Sequence, residues 1–228
     1  MMIGIITAFR HELAPLLAAQ PWRQESYDGR SFYRRQLQGC GVVATSSGLG
    51  KVMAASTSQL MISRFQPLIL INVGSCGGVA PHLKIGDQVL ASSVVEYDFA
   101  SLHKDVPRLQ CAPSLVEMLA DRVAGLHVGP VASADQNADT PAKRAWLHEQ
   151  FQALAADWEG AAVVRVARRN GLPALVLRGV TDVGSDELEK EFSAHVDEVL
   201  PLLADTMEVM LEVLAELIRT GVIPRSEA

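Results

Sequence analysis

Four successive positions, Leu68-Ile69-Leu70-Ile71, are all aliphatic. A half-exposed strand alternates apolar and polar side chains, so a strand with this pattern is buried on both faces. Ala174-Leu175-Val176-Leu177 repeats the pattern further along, and residues 3–7 form a shorter version. Between these runs the apolar spacing turns helical, over 11–19, 51–65, 113–124, 141–151, 160–170 and 193–219. Thr140 is placed to cap the fourth of these helices, with Pro141 at its first position. Asn170-Gly171 closes the fifth, and Pro201 is a potential kink in the last. Residues 31–37 and 41–46 read as a hairpin turning near Gly39, and 86–95, 128–133 and 154–157 as further strands. Strands alternating with helices predict an α/β protein with a mixed and largely buried sheet.

A chain of 228 residues suits one domain, expected over residues 1–222, with 223–228 as a flexible tail. Its 49% hydrophobic and 20% charged residues exclude a disordered or fibrous protein, and aromatics at 5% leave an aliphatic core. A net charge of −6 argues against a nucleic-acid or anionic-membrane partner. Cys40, Cys76 and Cys111 form no CxxC pair, so neither a disulfide framework nor a zinc site is indicated. The six histidines lack metal-ligand spacing, and no metal or redox cofactor is implied. There is no signal-peptide pattern and no apolar run long enough for a membrane span, so a soluble, cytoplasmic protein is expected.

Three segments carry chemistry, each expected just after a strand, where open α/β sheets place ligands. Ser47-Gly48-Leu49-Gly50-Lys51 is not a phosphate loop: Thr45 and Val52 break the Walker pattern, and Met53 breaks the dinucleotide one. Asn72-Val73-Gly74-Ser75-Cys76-Gly77-Gly78 offers glycines that admit a ligand close to the backbone. Asp157-Trp158-Glu159-Gly160 and Arg178-Gly179-Val180-Thr181-Asp182 put carboxylates at the ends of apolar strands, where burial is costly unless the charge is paired or used. Glu12 lies just beyond the first strand.

With Leu83-Lys84-Ile85-Gly86-Asp87, these motifs resemble the 5'-methylthioadenosine/S-adenosylhomocysteine nucleosidases of the nucleoside phosphorylase-like superfamily. The resemblance runs from Met1 to about Leu214. It implies a single α/β domain with a mixed, barrel-like central sheet flanked by helices, a small-molecule nucleoside substrate and a homodimer. It further implies that Glu12 is the general base activating water and Asp182 the general acid protonating the purine. Glu159 matches the carboxylate that binds the ribose hydroxyls, and Trp158 stands where a methionine packs against the ribose. Ser75 and Gly77 match positions beside water and sugar, and Arg178 an arginine near ribose and base. Protonating a poor purine leaving group while carboxylates stabilise an oxocarbenium-like sugar is the logic of two-carboxylate glycoside hydrolysis.

Similar phosphorylases carry arginines for the phosphate dianion, where this chain has Asn72 and Glu12. Hydrolysis is therefore expected, and Arg10 alone points the other way. The base loop departs from the family: Ser133-Ala134-Asp135-Gln136-Asn137-Ala138 has Asn137 where a stacking phenylalanine is usual, leaving Asn137 and Ala138 to border the base. Residues 99–109 would lie near the 5' pocket, and His103, Lys104 or Arg108 there could pair with a 5' carboxylate. A futalosine-type nucleosidase and a purine nucleoside phosphorylase are thus alternatives. A non-catalytic nucleoside-binding protein is another, although it has no need of both an acid and a base.

Overall fold

The computed structural model describes residues 1–99, 106–183 and 188–223. Ten strands alternate with six helices in the order β1(Met2–Thr7), α1(Arg10–Ala19), β2(Arg23–Tyr27), β3(Arg30–Leu37), β4(Cys40–Ser46), α2(Lys51–Phe65), β5(Ile69–Gly78), β6(Gln88–Glu96), β7(Arg108–Gln110), α3(Pro113–Arg122), β8(Leu126–Ser133), α4(Pro141–Phe151), β9(Ala155–Asp157), α5(Gly160–Arg169), β10(Ala174–Asp182) and α6(Leu188–Arg219). The two aliphatic runs become neighbours: β5 and β10 pair in parallel, with Leu70 beside Ala174 and Leu177 beside Val73. β10 continues to β6, β6 to β8, β8 to β9, and β9 back to β5. Five strands thus close a mixed barrel, which removes two sheet edges. From β5 the sheet extends outward through β1, β4, β3 and β2, while β7 pairs with β6.

Ile69, Leu70, Ile71, Leu175, Val176 and Leu177 are fully buried, as runs apolar on both faces require. Val196, Leu200, Leu203, Met207, Leu211 and Leu214 recur at helical spacing on α6 and are buried in the main core cluster. α6 approaches β10 closely because Gly179 has no side chain: a Cβ there would lie 2.6 Å from Val199 Cγ1. Two hairpins turn on residue pairs with positive φ, Asp28-Gly29 between β2 and β3 and Gln38-Gly39 between β3 and β4. This matches the primed turns that suit strand twist.

Several boundaries differ from the sequence reading. β5 runs on through the glycine-rich segment to Gly78, and β10 through Arg178 to Asp182, so these motifs are strand rather than loop. β2 and β7 were not anticipated. α6 begins before Ser193 and continues through Pro201. Of the expected tail, Ile223 is buried in the core, and 224–228 lie outside the described residues. No helix among the described residues is long and apolar enough to cross a membrane.

Candidate active site

The carboxyl ends of β1, β5, β8, β9 and β10 open onto one cavity of ≈ 480 Å³. β1 leads into Ala8, Phe9 and, on the first turn of α1, Glu12. β5 supplies Ser75, Cys76 and Gly77, and the segment after β8 supplies Gln136, Asn137 and Ala138. β9 and the start of α5 supply Asp157, Trp158 and Glu159, and β10 supplies Thr181 and Asp182. The sequence reading named Glu12, Ser75, Gly77, Asn137, Ala138, Trp158, Glu159 and Asp182, and all eight line this one cavity.

Glu12 is fixed by four donors. Its Oε2 accepts the backbone N–H groups of Ala8 and Phe9 at 2.9 and 3.0 Å. Its Oε1 accepts from the Ser75 backbone N–H and Oγ, both at 2.8 Å. The carboxylate fits because residue 74 is glycine: a Cβ there would stand 2.6 Å from Oε1.

Glu159 stands at the residue before α5, and its carboxylate accepts the Gly50 N–H at 2.9 Å, joining the turn before α2 to the cavity. Burial pushes its pKa up to about 7, against the lowering effects of Arg178 and the Gly50 N–H. The folded chain therefore binds this proton more tightly than the unfolded chain. The corresponding stability is complete below about pH 4.5 and lost as pH rises through about 7. Glu159→Gln removes this dependence. Relative to the parent, the variant should gain on the order of 3 kcal/mol at pH 8 and little at pH 4.5. Denaturant unfolding at the two pH values measures this, and an equal difference at both would contradict it.

Arg178 requires a correction. It is fully buried but does not line the cavity. Its Nε donates to Asp157 Oδ2 at 2.7 Å, and its Nη2 donates to Asn72 Oδ1. Asn72 Nδ2 in turn donates to the Ile6 carbonyl at 2.9 Å. A planar guanidinium beneath three strands satisfies their buried polar groups, and this places it behind the cavity wall rather than on it.

Two other cationic candidates are also placed away from the cavity wall. Arg10 borders a separate cleft of ≈ 290 Å³ with Arg30, Ser31 and Tyr33. Arg108 donates to Ser93 Oγ at 3.2 Å and to the Phe151 carbonyl at 3.0 Å. His103 and Lys104 lie outside the described residues.

Sequence reasoning missed Arg144, the one cationic side chain among the residues lining the cavity. It shares the buried face of α4 with Leu147, three residues on, and that spacing was the available signal. Its Nη2 donates to Asp182 Oδ1 at 2.5 Å, its Nη1 to the Gly78 carbonyl at 2.6 Å, and its Nε to the Ala138 carbonyl at 2.7 Å. Thr181 Oγ1 donates to Asp182 Oδ2 at 3.2 Å. The loop after β8 is held from the other side as well. Asp135 Oδ1 accepts the Lys51 backbone N–H at 2.7 Å, and Lys51 Nζ pairs with Asp98 at 2.6 Å and Glu96 at 3.1 Å.

The sequence pattern of the phosphorylase superfamily matches residues 2–219. The 5'-methylthioadenosine/S-adenosylhomocysteine nucleosidase of Anoxybacillus flavithermus is 30% identical over 227 residues, covering 92% of this chain and 98% of that protein. The chain belongs to this nucleosidase family. The Marinomonas nucleosidase is 31% identical, with 92% of this chain and 96% of the relative covered. Among solved structures, the S. pneumoniae nucleosidase with the transition-state inhibitor MT-ImmA superposes with a TM-score of 0.87 at 27% identity, covering 94% of this chain and all of that one. The futalosine hydrolase of Helicobacter pylori superposes equally well, at 26% identity over 93% of this chain and 98% of that one. The family's nucleoside phosphorylase-like fold is thus the one found here, and the expected N-glycosyl hydrolase class agrees with these relatives.

Proposed function

We propose that this nucleosidase hydrolyses 5'-modified purine nucleosides of the methylthioadenosine and adenosylhomocysteine type. One observation carries the choice of water over phosphate. Glu12, Asp157, Glu159 and Asp182 line the cavity, and its sole cation among the described residues, Arg144, is bonded to Asp182. A phosphate dianion needs cationic partners and would meet carboxylates instead. Arg10, the residue that favoured phosphate, faces the other cleft.

In this reading a water beside Glu12 and Ser75 adds to C1' of the ribose while Glu12 takes its proton. The C1'–N9 bond breaks, its electron pair goes to the base, and Asp182 supplies a proton to N7. Glu159 accepts hydrogen bonds from the ribose 2'- and 3'-hydroxyls, and Trp158 forms the sugar's floor. Asn137 and Ala138 border the base. Gly77 leaves room for the acid beside it, since a Cβ there would lie 3.0 Å from Asp182 Oδ1. Arg178 acts at one remove, by holding Asp157 against the strand ends. Phe9, Leu49 and Phe192 give the cavity an apolar portion suited to an alkylthio group. Arg108, being tied to Ser93 and Phe151, gives no support to a 5' carboxylate.

The same reading takes the enzyme to be a homodimer, for which Leu49, Val52 and Met53, exposed around the start of α2, offer apolar surface. It places the enzyme in the cytoplasm, consistent with three buried free cysteines. Incubation with methylthioadenosine and adenosylhomocysteine in phosphate-free buffer tests the proposal. Free adenine from both is the expected result. Release only after phosphate is added would make the enzyme a phosphorylase, and no release in either buffer would favour a binding protein.

A further inference from the structure

Arg144 is 5% exposed, and its only carboxylate partner among the described residues is Asp182. A guanidinium is costly to bury unless its donors are used, and here they reach three separate pieces of the site. Nε holds the Ala138 carbonyl in the loop after β8, Nη1 the Gly78 carbonyl at the end of β5, and Nη2 the Asp182 carboxyl at the end of β10. The two backbone anchors fix the plane of the fork. The fork in turn fixes Oδ1 of Asp182, while Thr181 Oγ1 contacts Oδ2. The missing Cβ of Gly77 lies beside both partners, 3.0 Å from Asp182 Oδ1 and 3.3 Å from Arg144 Nη2. The ion pair therefore borders the space through which a base would approach.

We propose that Arg144 is a positioning residue for proton delivery to the leaving base, acting through Asp182. This rests on the nucleosidase reading and extends it to a residue on α4 that makes the acid's geometry depend on the base loop. The pair is not isolated, since Cys76 from β5 and the Asp157–Arg178 pair from β9 and β10 lie within electrostatic range of the same point. A purely structural arginine would support folding and binding alike. A positioning arginine should matter chiefly while the C1'–N9 bond is breaking, when a displacement of about 1 Å costs on the order of 100-fold in rate.

Arg144→Gln separates these roles. Two quantities are compared: kcat for release of adenine from methylthioadenosine, and the Kd of its carbocyclic analogue, which lacks the labile glycosidic bond. The account predicts that kcat falls about 100-fold while Kd changes less than about 3-fold. In an Asp182→Asn background, Arg144→Gln should lower kcat no further, because both changes disable one step. Arg144→Lys keeps one cationic donor without the fork and should recover part of kcat. It also carries the test if the Gln variant does not fold. Equal losses in kcat and Kd, an unchanged kcat, or full additivity with Asp182→Asn would overturn the proposal. Failure of the parent enzyme to release base or bind the analogue would instead sink the nucleosidase reading itself.

Discussion

Glu12→Gln is expected to lower kcat for base release by about 10²- to 10⁴-fold, the range for removing a general base. The geometry adds a second consequence. All four groups on this carboxylate are donors, two on each oxygen. An amide can present its oxygen to only one pair, and its NH₂ then faces the other pair. The variant should therefore lose about 1–3 kcal/mol of stability as well, read by denaturant unfolding. Gly74→Ala provides an independent check that leaves the carboxylate in the sequence. Its new Cβ would sit 2.6 Å from Oε1, so either the strand or the base must move. A comparable loss of kcat is expected. Full activity in either variant would remove Glu12 from the mechanism.

The second large effect is at the opposite chemical role. Asp182→Asn should lower kcat by about 10²- to 10⁴-fold, because an amide has no proton to give the purine. It also takes from buried Arg144 its only carboxylate partner among the described residues, and losing one partner of a buried pair costs about 3–5 kcal/mol. Neutralising both partners avoids that penalty. The Arg144→Gln/Asp182→Asn double variant should therefore melt higher than Asp182→Asn alone while remaining equally slow. Thermal unfolding beside steady-state kinetics reads both. Near-normal kcat in Asp182→Asn would place the acid elsewhere.

Much of this architecture is written locally in the sequence. Thr140 and Pro141 open α4 as expected, and the Thr140 hydroxyl accepts the Lys143 N–H at 3.1 Å. The aliphatic runs are the paired centre of the barrel, because a strand apolar on both faces has nowhere else to go. The extent of the glycine-rich strand was not legible in the same way. Glycine weakens a strand by propensity, yet at 74, 77 and 78 the absence of Cβ accommodates Glu12, Asp182 and Val180. That requirement comes from distant residues. β2 was missed because Arg23-Gln24-Glu25-Ser26-Tyr27 has no apolar face, although the Asp28-Gly29 turn beside it was a usable hairpin signal.

Charges were harder to place. The motif put Arg178 near the site, but only the fold shows it turned toward Asp157 and Asn72, behind the wall. Arg144 follows Lys143 in the sequence, and its spacing to Leu147 is the one local sign that it faces inward. That spacing does not record its partners, which lie at the ends of β5 and β10 and in the loop after β8.

The central claim is that water, not phosphate, attacks the sugar. Turnover of methylthioadenosine in ¹⁸O-labelled water with phosphate also present tests it most directly. The account predicts one ¹⁸O at C1 of the released methylthioribose and no sugar phosphate. A ribose 1-phosphate product, with its sugar carbon unlabelled, would contradict it.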